Sequence, residues 1–182
     1  INENAGKRRF VFVQNGTGHY PYVCDSEFRI YTPSAIKDGK DDKDCTGMKN
    51  DYDNCIHAVD VFLSEIIGSL QDKNAVVLYS SDHGELLGEE GKWHHGDADN
   101  PYLRHVPAFI WFSDEYKAKH PDMVRSYAEV KDKLLVHGQF FASILKLCGI
   151  QSSVPLNVGD FVEDDILKHP NNLPDSVIGC KD

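Results

Sequence analysis

An acidic residue and a histidine stand side by side where an apolar segment of the chain stops. Residues 75–80 read Ala-Val-Val-Leu-Tyr-Ser, and after Ser81 the chain continues as Asp82-His83-Gly84-Glu85. A carboxylate oxygen and an imidazole nitrogen are donors that suit a divalent metal ion, zinc above all. The same residues also fit a polar turn in which Asp82 caps the next segment and His83 is exposed. Asp82 and His83 are therefore candidate metal ligands.

Further histidines accompany this pair. His19 lies in the turn Asn15-Gly-Thr-Gly-His19-Tyr-Pro21, and His94 and His95 form a doublet. Imidazole titrates near neutral pH, so it can hold an anion or move a proton. Adjacent side chains seldom face one ligand, so we expect at most one of the doublet to point inward. We expect Glu85 to lie in solvent rather than beside the metal, and we assign packing or surface roles to four other histidines: His57, His105, His120 and His169.

The hydrophobic pattern indicates how these residues are positioned. The uncharged run at 75–80 predicts a strand buried on both faces, and the run at 10–14 predicts a second. Apolar residues at three- and four-residue steps predict a helix over 51–70. Together they predict a β-α-β unit, whose right-handed crossover would bring His19 to the same sheet edge as Asp82 and His83.

The rest of the chain completes a prediction of one α/β domain with a doubly wound mixed sheet. The glycine-rich segment 84–96 favours a loop, and the polar segment 31–44 an exposed one. The remaining predicted elements are a strand over 106–112, helices over 121–133 and 137–148 with Gly149 closing the second, and an irregular tail from Gln151.

Composition limits the classes of function. The chain has 182 residues, a net charge of −10 and 41% hydrophobic residues. It therefore lacks the basic field that a nucleic-acid partner requires. It also contains no apolar run of roughly 20 residues that could span a membrane, and its first residues do not resemble a signal peptide. The cysteines show no CxxC spacing; Cys148 fits a buried helix position, and an oxidising compartment would favour one disulfide among Cys24, Cys45 and Cys55.

Several motifs, in order along the chain, resemble one enzyme family. The segment 81–96 resembles the SDHGESLGExG…LHG signature of phosphoethanolamine transferases that modify lipid A and related envelope glycans. Segment 15–21 is similar to their GSHGP loop, and Asp51-Tyr-Asp-Asn54 with Asp60 to their YDN…D helix. Segments 104–111 and 137–150 are similar to their R/THVPMLxW strand and HDNxFxxLLxLxGI helix. DHG alone is shared with the wider alkaline phosphatase-like superfamily.

The resemblance implies an alkaline phosphatase/sulfatase-like fold, with residues 1–182 as the carboxyl-terminal portion of a single catalytic domain. It implies zinc, or alternatively Mn²⁺ or Mg²⁺, held by Asp82 and His83. It also implies a phosphate pocket in which His19 and His95 are catalytic and substrate-binding residues. The family's other ligands, a glutamate and the nucleophilic threonine, have no counterpart here. We expect them upstream of Ile1, together with membrane helices.

The implied activity is transfer of phosphoethanolamine from a phosphatidylethanolamine-type lipid to lipid A or an envelope glycan, through a phospho-threonine intermediate. The implied location is the bacterial inner membrane, with the catalytic domain facing the periplasm. We expect the isolated 182 residues to be inactive. Leu86 and Gly138-Gln139 depart from the family pattern, which often has serine and Asp-Asn there. Two alternatives stay open: a sulfatase or phosphohydrolase of the same superfamily, and a non-catalytic binding domain that keeps the fold.

Overall fold

The computed structural model describes residues 7–38, 45–97, 99–131 and 136–150. These residues belong to two compact units. The smaller unit contains 7–14 and 136–150, and the larger contains the other described residues. The predicted irregular tail from Gln151 lies outside the described residues.

The larger unit combines helices with two small antiparallel sheets. Its 3₁₀ turns are Ser26–Phe28 and Glu89–Gly91. Its strands are β1 (Val76–Ser80), β2 (Leu86–Leu87), β3 (Trp93–His94) and β4 (Ala108–Phe112), and its helices are α1 (Ala35–Asp38), α2 (Thr46–Leu70), α3 (Pro101–Arg104), α4 (Asp114–Lys119) and α5 (Pro121–Ala128).

Strands β1 and β4 confirm the predictions over 75–80 and 106–112. They pair in antiparallel register from Val76 opposite Phe112 to Ser80 opposite Ala108. Among the described residues no further strand joins this sheet. Every residue of β1 is consequently half-buried, and not buried on both faces as the apolar run predicted.

The prediction of a strand over 10–14 is wrong. These residues belong to no strand ladder of the described chain, and Phe10, Val11, Phe12 and Val13 are between 54% and 77% exposed. The predicted β-α-β unit is therefore not formed in the described residues. An apolar run specifies a tendency to be extended, but a strand also needs a neighbour to pair its N–H and C=O groups.

The smaller unit contains α6 (His137–Cys148), which confirms the prediction over 137–148. Gly149 ends the helix in a left-handed conformation with φ of 68°, the conformation that glycine adopts without a steric penalty. Arg8 Nη1 donates a hydrogen bond to the Cys148 carbonyl at 3.3 Å. This bond links Arg8 to the end of the helix.

Helix α2 confirms the amphipathic prediction but begins five residues earlier, at Thr46 rather than at 51. Its buried positions near the start are polar or small, among them Asp51 and Asn54. The apolar residues of its second half are at best half-buried in the described chain. The helix is therefore fixed at its amino-terminal half largely by hydrogen bonds.

Those hydrogen bonds fasten the polar segment that we expected to be an exposed loop. The Asn54 side chain is fully buried. Its Oδ1 accepts from the Tyr31 N–H at 2.8 Å, and its Nδ2 donates to the Tyr31 carbonyl at 3.1 Å. Asp51 Oδ1 accepts from the Ser34 hydroxyl at 2.5 Å. Residues 31–36 are thus pinned to α2, whereas 39–44 lie outside the described residues.

Asn54→Ala is expected to lower the free energy of unfolding by about 2 kcal/mol, because it leaves both Tyr31 backbone groups without the partners that the buried Asn54 side chain supplies. Denaturant unfolding of the full chain measures the loss. Asn50→Ala is the control, since Asn50 makes one exposed bond to the Pro33 carbonyl and should cost less than about 1 kcal/mol. Equal losses for the two variants would contradict the prediction.

The cysteines do not pair as their spacing suggested. Cys24, Cys55 and Cys148 are free thiols, and Cys148 is half-buried. Cys45 is disulfide-bonded, so its partner is none of these three. Closeness along the chain therefore did not determine the partner of Cys45, because a disulfide requires matched Cβ positions in space.

Candidate functional site

Three of the predicted histidines meet in the larger unit. The ring of His95 lies 5.3 Å from that of His19 and 4.4 Å from that of His83, measured between centroids. His19 belongs to a turn in which its N–H donates to the Gly16 carbonyl. The loops after residues 14 and 80 thus come together as expected, although no β-α-β unit carries them.

The hydrogen bonds of His19 and His83 fix which ring nitrogen is available. His83 Nδ1 lies 2.7 Å from the Gly84 carbonyl, and His19 Nδ1 lies 2.7 Å from the Tyr20 carbonyl. A carbonyl accepts only, so in the neutral ring each Nδ1 carries the proton. Nε2 of both rings is therefore left with its lone pair for a metal ion or a proton.

Asp82 is presented to solvent beside His83. Its side chain is 89% exposed, and Oδ2 lies 3.8 Å from His83 Nε2. Its Oδ1 accepts from the His83 N–H at 3.1 Å. The carboxylate is thus positioned by the backbone, and one oxygen remains near the free nitrogen of His83.

The Asp-His-Gly loop is held by the segment that leads into β4. Gly84 N–H donates to the Leu103 carbonyl at 2.8 Å, and Ser81 N–H donates to the Pro107 carbonyl at 3.2 Å. The Ser81 hydroxyl donates to the His83 carbonyl at 2.7 Å. These bonds explain why a loop outside regular secondary structure can present His83 in one orientation.

Glu85 is the buried centre of the cluster, so the expectation that it lies in solvent is wrong. Its side chain is 5% exposed. Oε1 accepts from the Tyr22 hydroxyl at 2.7 Å, and Oε2 lies 3.3 Å from His95 Nδ1. Burial, and next the hydrogen bond to Glu85, raise the pKa of Tyr22. Tyr22 consequently remains a protonated donor to this carboxylate.

Both members of the His94-His95 doublet contact Glu85, contrary to the expectation that at most one points inward. His94 Nδ1 lies 3.5 Å from Glu85 Oε1, while His95 approaches Oε2. His94 has φ of 67°, so the backbone leaves the extended conformation at the end of β3. The alternation of side chains along a strand therefore fails at this residue.

Donor atoms of His83, Glu85 and His95 lie within 4.8 Å of one another. Two imidazole nitrogens and a carboxylate oxygen are a donor set that fits a divalent metal ion such as zinc. The sequence predicted His83 for such a site but not Glu85, although Glu85 directly follows the Asp-His-Gly motif. Tyr22 was also missed, and no spacing or motif could have indicated it.

Comparison with known proteins defines the class. The Sulfatase family model matches residues 1–150, so the chain belongs to the Sulfatase family. A crystal structure of the soluble domain of lipooligosaccharide phosphoethanolamine transferase A from Neisseria meningitidis is similar, with a TM-score of 0.54 and 28% identity over 68% of this chain and 39% of that one. This likeness confirms the predicted sulfatase-like α/β fold.

Curated relatives confirm the resemblance to phosphoethanolamine transferases. Kdo(2)-lipid A phosphoethanolamine 7''-transferase of Escherichia coli strain K12 is 36% identical over 72% of this chain and 24% of its own length. Phosphatidylethanolamine transferase Mcr-1 of Escherichia coli is 32% identical over 81% of this chain and 28% of its own length. The chain thus spans about a quarter of these relatives. Within the described residues, no helix has the length and apolar character to cross a membrane.

Proposed function

We propose that this chain is the carboxyl-terminal portion of the catalytic domain of a phosphoethanolamine transferase. The observation that carries the proposal is that the rings of His19 and His83 both lie against His95, which in turn contacts the buried carboxylate of Glu85. A cluster of imidazoles with a buried acid suits phosphoryl transfer, which requires charge neutralisation and proton movement at one place. The three relatives described above are named as transferases of phosphoethanolamine or phosphatidylethanolamine. Their names support the same reaction for this chain.

A divalent metal ion, zinc or alternatively Mn²⁺ or Mg²⁺, is part of the proposal, with Asp82 and His83 as ligands. The free Nε2 of His83 and the nearby Oδ2 of Asp82 support this assignment. When bound, such an ion polarises a phosphoryl oxygen and lowers the pKa of an attacking hydroxyl. His83 also belongs to the donor set with Glu85 and His95, so both arrangements require this histidine.

His19 and His95 are proposed to bind the phosphoryl group and to exchange protons with it. The carboxylate of Glu85 lies 3.3 Å from His95 Nδ1 and orients that ring. His19 has its Nδ1 satisfied by the Tyr20 carbonyl, so Nε2 is the atom that can accept a proton. Each ring thus has its Nδ1 beside an oxygen acceptor and can present Nε2 to the phosphoryl group.

The substrates and location follow from the family and remain proposals. The donor would be a phosphatidylethanolamine-type lipid, and the acceptor lipid A or an envelope glycan. The complete protein would be held in the bacterial inner membrane by an upstream anchor, with this domain facing the periplasm. The nucleophilic threonine and the inactivity of the isolated chain also remain predictions.

Asp82→Asn in the complete protein tests the proposal. The substitution keeps the side-chain size but removes the charge of the proposed ligand. We expect a loss of bound metal and a loss of phosphoethanolamine transfer of about 100-fold or more, since changes around a metal site cost up to about 100-fold in affinity or activity. Mass spectrometry of the acceptor and metal analysis of the protein measure both. Asp114→Asn is the control, since that side chain is 96% exposed in an i,i+3 pair with Lys117.

The outcomes separate the candidate functions. Unchanged transfer and metal content in Asp82→Asn would contradict the metal assignment. A complete protein that hydrolyses phosphate or sulfate esters without modifying any acceptor would favour the hydrolase. A complete protein in which neither activity is found, and whose biological role survives Asp82→Asn, would favour the binding domain.

A further inference from the structure

Two free thiols touch each other at the junction of α2 with the loop that follows His19. Cys55 lies in α2 and is fully buried, whereas Cys24 is half-buried. The two side chains are hydrogen-bonded. Two thiols in contact are the starting arrangement for an S–S bond of about 2.05 Å.

The backbone on both sides of the pair is held in place. The Cys24 carbonyl accepts from Arg29 Nε at 3.1 Å and from Arg29 Nη2 at 2.8 Å. The Gly18 backbone is hydrogen-bonded to the Cys55 thiol. The Cys24 backbone and the Cys55 thiol are therefore each held by hydrogen bonding from outside the pair.

A cavity of about 190 Å³ opens beside the outer thiol. Its lining includes Cys24 with Thr17, Val23, Asp25, Phe28 and Ala58. Cys55 is not among these lining residues and has no exposed surface. An external reagent would therefore meet Cys24 first.

We propose that Cys24 and Cys55 form a redox-active dithiol, which closes to a disulfide by exchange with an oxidant of the disulfide class. Such an oxidant is a small-molecule or protein disulfide. The site does not depend on the proposed transferase activity, and it differs from the disulfide of Cys45.

The exchange takes place in two steps. The Cys24 thiolate attacks the oxidant, whose S–S bond breaks, so that one thiolate leaves and Cys24 is held in a mixed disulfide. The Cys55 thiolate then attacks the Cys24 sulfur and expels the second thiolate. The two cysteines lose two electrons in total, the oxidant is reduced to two thiols, and the two protons pass to the leaving groups.

The second step should be the slower one. Burial, and next the charge of Cys24, raise the pKa of Cys55 to about 12, so little of it is thiolate near neutral pH. The mixed disulfide removes the charge on Cys24, and with it that charge's contribution to the raised pKa of Cys55. Once formed, the bond would fasten the loop carrying His19 and Tyr22 to α2.

Peptide mapping of the full chain after treatment with oxidised glutathione tests the proposal. We expect a peptide linked through Cys24 and Cys55, which dithiothreitol removes, and a melting temperature about 10 °C above that of the reduced chain, because the new cross-link restricts the unfolded state. Cys24→Ser should abolish the linked peptide and the shift. Cys148→Ser is the control, and both signals should persist in it.

A stable Cys24–glutathione adduct with no linked peptide would overturn the proposal. The same holds for a linked peptide that forms only in denaturant. If Cys24→Ser fails to fold, the linked peptide in the Cys148→Ser protein still decides the question, because that variant leaves the pair intact.

Discussion

Glu85→Ala is expected to lower the free energy of unfolding by about 3 kcal/mol, because it leaves the buried Tyr22 hydroxyl without its acceptor and removes a charged partner of two histidines. The Tyr22 hydroxyl, on a side chain only 1% exposed, loses its acceptor at 2.7 Å. His94 and His95 lose the group that both rings face. Denaturant unfolding of the full chain measures the stability loss.

Glu90→Ala is the matched control in the same loop. Its carboxylate is 65% exposed and lies 3.5 Å from the Lys92 ammonium, and a surface pair of this kind contributes less than about 1 kcal/mol. A double-mutant cycle with Tyr22→Phe then isolates the hydrogen bond to Glu85. A coupling energy near zero would show that the carboxylate does not depend on Tyr22.

Gly84→Ala is expected to cost about 3 kcal/mol of unfolding free energy, at the upper end for overpacking. A Cβ at this position would collide with the Tyr102 carbonyl oxygen and lie 3.2 Å from the Leu103 Cα. The backbone cannot retreat without breaking the Gly84 N–H bond to Leu103. Displacement of the loop would also move His83, so the proposed metal binding should weaken together with stability.

Gly96→Ala is the control for that substitution, since a Cβ there would meet nothing within 4 Å. We expect its stability to stay within about 0.5 kcal/mol of the parent. Zinc titration and denaturant unfolding of both variants measure the two effects. A Gly84→Ala protein as stable as Gly96→Ala would show that the close approach of α3 can relax without cost.

Local sequence patterns predicted the helices and strands whose formation and ends depend on residues within the same segment. Helix α6 and its left-handed Gly149 were predicted from the apolar period and the glycine. The missed helix α4 also carries a local signal, because Ser113 is its N-cap and its side chain accepts from the Tyr116 N–H. The early start of α2 had no such signal, since its first turns depend on loop residues brought to Asp51 and Asn54 in space.

His19 and His83 were predicted at the candidate site because each follows an apolar run and because imidazole suits metal and phosphate chemistry, whereas His95 was predicted from the family resemblance of its segment. The predicted strand at 10–14 and the solvated Glu85 failed for one physical reason. Strand pairing and burial are relations between distant residues, and Tyr22 reaches Glu85 across 63 positions of sequence.

The sequence by itself therefore determined the residue types of the site, the positions of β1, β4 and α6, and the likeness to one enzyme family. Only the tertiary structure decided that Glu85 is the centre of the histidine cluster, that both His94 and His95 face it, and that Cys24 meets Cys55. Side-chain type is a local property, whereas the partner of a buried polar group depends on which chain segments pack together.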